Sequence, residues 1–235
     1  MNESNKTTAR IAGLLYLAMG LTGGFGLMYT PSQIVVAGDA AATVANIVNH
    51  EMLFRLGIVT QLVCQVIFVY LVLKLYQLFK PVDELQARQM LGLVLASVPI
   101  AFVIVLNQLG MLLVGGGAGF LSTFTTDQLN ALSMILFSLY ENGVVIAQIF
   151  WGLWLIPFGR LVYASGFIPR IFGILLIVGG LGYVVASGTA LLLPQYGGIV
   201  GTIATIPSAI AEFAIIFWFL IKGVRAPKLV GAAVA

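Results

Sequence analysis

Apolar residues gather in long stretches separated by short polar punctuation, and those stretches set the architecture. They run over about 10 to 29, 52 to 76, 87 to 114, 126 to 163, 169 to 193 and 200 to 223. About twenty residues at 1.5 Å per residue cross a hydrocarbon layer of roughly 30 Å. Each stretch therefore predicts a membrane-crossing helix. Together they predict an all-α, polytopic bundle of six spans forming a single transmembrane domain over 1–235.

The polar punctuation predicts where helices start and stop. In FTTDQL, Thr125 and Gln128 have the spacing of a capping box, with Phe124 and Leu129 placed as a hydrophobic staple, so the fourth helix is expected to begin there. As one piece to residue 163 it measures roughly 57 Å, long enough to require a steep tilt. In SGFIPR, Gly166 is placed to end a helix and Pro169 to open the next, which makes spans four and five antiparallel neighbours. Pro99 falls inside the third span and frees the carbonyl of Leu95, so a kink is expected there. The GGGAG turn at 115–119 has no strand-helix context or lysine of a phosphate loop. The connection after the first span reads as a short interfacial helix over about 39–50, with Asp39 as its N-cap. It either packs over helix ends or covers an outward-facing cavity.

Composition removes whole classes of function. Only 8% of residues are charged and 60% are hydrophobic, with a mean hydropathy of +1.08. Soluble domains carry roughly 25% charged residues. The chain reads as a multi-pass protein of the cell membrane whose constant partner is the lipid bilayer. Its net charge of +3 is spread singly along the sequence, which argues against nucleic acid. The single cysteine, Cys64, cannot form a disulfide framework, and the single histidine, His50, cannot supply paired haem or zinc ligands. No lysine lies deep enough for a Schiff base. Enzyme chemistry thus has little raw material, and no metal site, cofactor or catalytic set is predicted. The sequence does not set an oligomeric state.

Charge placement predicts orientation. Numbering alternate connections as one side gathers Lys6, Arg10, Lys74, Lys80, Arg88, Arg160, Arg170, Lys222, Arg225 and Lys228, against Arg55 alone on the other. By the positive-inside rule both termini are cytoplasmic. The first span precedes a small-residue stretch, VVAGDA, yet it is too long for the apolar core of a secretory signal.

The opening ARIAGLLYL, then GDAAATVANI before LFRLGI, SGFIPRIFGILL with GGLGYV, and the closing AEFAIIFWFLIKGV form an ordered set. With them the chain resembles a bacterial membrane-protein family known as domain-of-unknown-function family 4386, over about residues 8 to 224. The resemblance implies a multi-span architecture and brings no activity or site residue with it. Within the chain, ARIAGLLYLAMGLTG and PRIFGILLIVGGLGY echo one another, as a repeated helix hairpin or as small residues at close helix contacts such as Gly20 and Gly24.

Polar residues inside the spans are the candidate chemistry, since a charge at the bilayer centre costs at least roughly 2.5 kcal/mol. Counting back from cytoplasmic cations places Arg55, Asn107 and Glu141 each roughly 28 Å up their helices. With Gln108 and Asn142 they form an outer polar layer, in which an Arg55–Glu141 ion pair is expected. Glu212 stands roughly 15 Å above Lys222, near the midplane. Gln61, Gln65 and Gln148 fall within about one turn of that depth. Low dielectric favours a neutral carboxyl group, which donates to an amide. The two layers either line a site for a hydrophobic or weakly polar small ligand or lipid, with proton exchange at Glu212, or belong to a non-catalytic accessory or scaffold subunit in which they only specify helix packing.

Overall fold

The computed structural model describes residues 3–224, so Arg225 and Lys228 lie outside the described residues. The chain is helical: α1 (Glu3–Gly24) continues through a π-helical turn (Phe25–Tyr29) into α2 (Thr30–Ile34). There follow α3 (Ala40–Asn49), α4 (Glu51–Phe79), α5 (Glu84–Gly115), α6 (Thr126–Leu153), α7 (Leu155–Ser165), α8 (Arg170–Leu192) and α9 (Pro194–Phe217). A second π-helical turn (Trp218–Lys222) extends α9. Six spans are long and apolar enough to cross a membrane: Asn5–Ile34, Glu51–Phe79, Glu84–Gly115, Thr126–Ser165, Arg170–Leu192 and Pro194–Lys222.

The predicted caps form. Thr125 Oγ1 accepts from the Gln128 N–H at 3.3 Å while Gln128 Oε1 accepts from the Thr125 N–H at 2.9 Å, so α6 starts where the capping box places it. Asp39 Oδ1 accepts from the Ala42 N–H at 2.9 Å and opens α3. Gly166 ends α7 with φ of 70°, a backbone conformation that favours glycine, and Pro169 immediately precedes α8.

One expectation fails in an instructive way. The fourth span is not a single helix: the hydrogen-bonded pattern is interrupted at Trp154. Pro157, which has no N–H, leaves the carbonyl of Leu153 without its helical partner, and the ring crowds the preceding turn. By contrast α5 continues unbroken through Pro99.

The chain divides into two compact units. Among the described residues one comprises 3–17, 70–95 and 148–224, the other 18–69 and 96–147. All described lysines and arginines except Arg55 fall in the first.

In the first unit, α8 packs on both sides through glycine. Gly173 and Gly180, two turns apart, meet Gly159 and Gly152; a methyl group added at Gly173 would stand 2.6 Å from the Gly159 carbonyl oxygen. Gly179 and Gly182 meet Ser208 and Ala204 of α9, where an added methyl group would overlap backbone. Helices in lipid gain nothing from hiding apolar surface from one another, so close backbone approach supplies the packing energy. Gly13 of α1 approaches Phe219 in the same manner, with 2.9 Å from an added methyl carbon to Phe219 Cβ. Gly13 and Gly173, which match in the internal echo, are thus both contact positions. Gly20 and Gly24, expected to be, have nothing within 4 Å of an added Cβ.

In the second unit, an apolar cluster of Ile34, Ile47, Phe54, Ile58, Val105 and Met111 forms the core. α3 closes it: Ile47 is buried, Asn46 Nδ2 donates to the Ile34 carbonyl at 3.1 Å, and Thr43 Oγ1 accepts from the Val36 N–H at 3.0 Å. The short helix therefore packs over helix ends and caps their free carbonyls.

Candidate functional site

Glu212 lies on the face of α9 that also carries Ser208, Ala211 and Ile215, all buried. Its Oε2 accepts a hydrogen bond of 2.7 Å from the hydroxyl of Tyr16. Tyr16 is 1% exposed and follows Ala9, Ala12 and Gly13 along one buried face of α1. The small residues let α1 approach the end of α9, and Tyr16 is the next side chain on that face. The Tyr16 ring sits 6.3 Å from that of Trp154, which stacks on Phe158 at 5.3 Å. Phe158 meets Phe79 edge-on at 5.7 Å, and Phe79 lies 5.4 Å from Phe167, whose carbonyl accepts from Trp218 Nε1 at 3.1 Å. Tyr183 of α8, beside Ser208, is within electrostatic reach of Glu212. A carboxyl group is therefore held by a phenol in an aromatic setting. Among the described residues the ion pairs are Arg55–Glu51, Lys80–Glu84 and Arg88–Glu84, and none involves Glu212.

Gln148 is half-buried in the same unit as Glu212, and no hydrogen bond joins the two among the described residues. Gln61 and Gln65 belong to the second unit.

There, Gln61 is the centre of a buried hydrogen-bond hub. Its Oε1 accepts from the Tyr140 hydroxyl at 2.8 Å, and its Nε2 donates to Gln108 Oε1 at 3.0 Å and to the Gly26 carbonyl at 3.2 Å. The Gly26 carbonyl is free for a definite reason. In the π-helical turn the Thr30 N–H reaches back to Phe25, and the next residue, Pro31, has no N–H to offer Gly26. Gln61 supplies the missing donor. The fit is close: a methyl group on Gly26 would stand 2.6 Å from Gln61 Cγ. Gln65, one turn further along α4, is buried with its Oε1 unpartnered.

The outer layer is redistributed. Arg55 pairs with Glu51, one turn back on α4, at 2.7 Å with both side chains about half exposed. It does not pair with Glu141, because a partner four residues away on the same helix face is already in reach. Glu141 and Asn142 are exposed, and Asn142 Nδ2 donates to its own helix at the Ser138 carbonyl, 2.8 Å. Asn107 likewise donates to the Ile104 carbonyl at 3.0 Å. Gln108, its neighbour, turns inward to Gln61. Tyr16 and Tyr140 are the site residues that the sequence reading passed over, since phenols in apolar stretches read as ordinary span residues.

Six apolar spans, with one set of buried polar groups inside each compact unit, define a polytopic helical membrane protein. The family model described as Domain of unknown function (DUF4386) matches residues 11–223. The chain belongs to that family. No curated protein and no solved structure matches it.

Proposed function

We propose that this chain is a multi-pass protein of the cell membrane, with cytoplasmic termini, that binds or moves a hydrophobic or weakly polar small ligand through the Glu212–Tyr16 site. Glu212 exchanges a proton as the ligand enters or leaves. The observation that supports the reading is the 2.7 Å contact between a carboxyl group inside a span and a phenol. Helix packing alone needs no titratable proton, and an amide would serve it as well. Ionisable groups kept within spans mark ligand and proton pathways. The orientation is supported by the gathering of described cations in one unit.

A second reading, a scaffold whose polar groups only specify packing, is favoured at Gln61. That hub binds amide, phenol and backbone to one another and carries no titratable carboxyl group. The two readings separate at Glu212→Gln, which keeps a hydrogen-bond acceptor and removes the proton. Wild type and variant are purified in parallel from pH 5 to 8, and co-purifying small molecules are identified by mass spectrometry. Retention that changes with pH in the wild type and not in the variant is the expected result. Identical retention at every pH assigns Glu212 to packing.

A further inference from the structure

We infer that the first unit carries a binding groove for an anionic glycerophospholipid with a hydroxyl-bearing headgroup, of the phosphatidylglycerol class. The groove has a volume of about 490 Å³ and runs between the start of α5 and α7 with the end of α6. Its size lies within the roughly 300–1,000 Å³ of small-molecule sites. It is separate from Glu212, which does not line it, and does not rest on the function proposed for that site.

The lining is graded. Gln86 and Gln89 come from the start of α5 and Arg160 from α7, and spans crossing in opposite directions bring these three to one end. Further along, the antiparallel faces present Leu93 from α5 and Leu153, Ile156 and Pro157 from the other wall. A polar end passing into an apolar trough is the division of a glycerophospholipid into headgroup and acyl chain. Gly92 leaves the trough open, since a Cβ there would meet nothing within 4 Å.

Three features select the headgroup. Arg160 is exposed and in no ion pair among the described residues, so its guanidinium is free to take a phosphodiester by paired hydrogen bonds. Among the described residues no carboxylate lines the groove to receive the ammonium of a zwitterionic lipid. Buried polar atoms are as a rule paired; the side-chain oxygen of Gln86 is one of five described exceptions and, of those five residues, Gln86 alone lines the groove. Rotation of the Gln86 amide toward the groove brings that oxygen to a glycerol hydroxyl beside the phosphate, the donor it lacks.

The test uses the full chain in detergent, with melting temperature followed against added phosphatidylglycerol, phosphatidylcholine and soluble glycerol phosphate. Phosphatidylglycerol is expected to stabilise the wild type at concentrations about tenfold lower than phosphatidylcholine, with no response to glycerol phosphate. Arg160→Gln, at an exposed position, is expected to abolish that preference. Gly92→Leu, which fills the trough, is expected to weaken the response to both lipids without lowering the lipid-free melting temperature. Equal response of the wild type to the two lipids overturns the inference, as does an equal response to glycerol phosphate, which would mark a simple anion site. A preference that survives in both variants places the lipid elsewhere and overturns it too.

Discussion

Tyr140 donates its hydroxyl to Gln61 at 2.8 Å inside the second unit, while Glu141, the next residue on α6, is exposed. The buried member of this polar run is therefore the phenol and not the carboxylate. Tyr140→Phe leaves Gln61 Oε1 buried without a donor, which costs about 1–3 kcal/mol. Gln61→Ala is expected to cost more, because Tyr140, Gln108 and the Gly26 carbonyl all lose their partner. In a double-mutant cycle read by denaturation in micelles, the two losses are expected to sum to more than the double variant loses. Additive losses would show that the hydroxyl bond contributes nothing.

Arg55 and Glu51, about half exposed and one helical turn apart, behave as a surface pair. Arg55→Ala is expected to change stability by less than about 1 kcal/mol, and the change shrinks further at high salt. Glu141→Ala then adds its own effect independently. Coupling of more than about 0.5 kcal/mol between positions 55 and 141 would restore the long-range pair that the sequence suggested.

These two results show what a sequence of this kind reveals and what it conceals. The spans were legible because twenty apolar residues in a row have one physical use, and the caps at Thr125, Asp39 and Gly166 were legible because capping is decided by neighbours within four residues. Depth was legible roughly, by counting from a cation. Azimuth was not. Successive residues on a helix differ by about 100° in direction, so Asn107 turns to its own backbone while Gln108 enters the hub, and Glu141 turns out while Tyr140 turns in. In a soluble helix the apolar stripe reveals direction, but a span is apolar on every side. The remaining signal was in small residues. Ala9, Ala12 and Gly13 mark a contact face of α1 on which Tyr16 is next, and the glycines of α8 mark two such faces. The break at Trp154 lies three residues before Pro157, whereas α5 passes Pro99 unbroken, so a proline by itself does not tell which span will break.

Glycine contacts give a graded prediction. Gly182→Ala places a methyl group onto the Ala204 carbonyl of α9 and is expected to destabilise by about 1–3 kcal/mol through forced separation of α8 and α9. Gly20→Ala, with nothing within 4 Å, is expected to be neutral or to stabilise by up to about 1 kcal/mol through helix propensity. Thermal melts of the two variants beside the wild type check the contrast. Equal melting temperatures for both would mean that α8 and α9 do not approach as closely as the glycines allow.

The Tyr16–Glu212 contact yields a prediction that separates structure from chemistry by the order of two effects. Tyr16→Phe keeps the ring against Trp154 and removes the donor to Glu212 Oε2, so the acid loses its hydroxyl partner inside the unit. That loss is expected to cost about 1–3 kcal/mol. Glu212→Gln keeps an acceptor for the Tyr16 hydroxyl and is expected to cost less in stability. In ligand retention the order reverses: the Phe variant still holds a proton-exchanging acid and responds to pH, and the Gln variant does not. Denaturation and pH-dependent retention are measured on the same preparations. If stability and retention fall together, in the same order, in both variants, the contact serves packing alone.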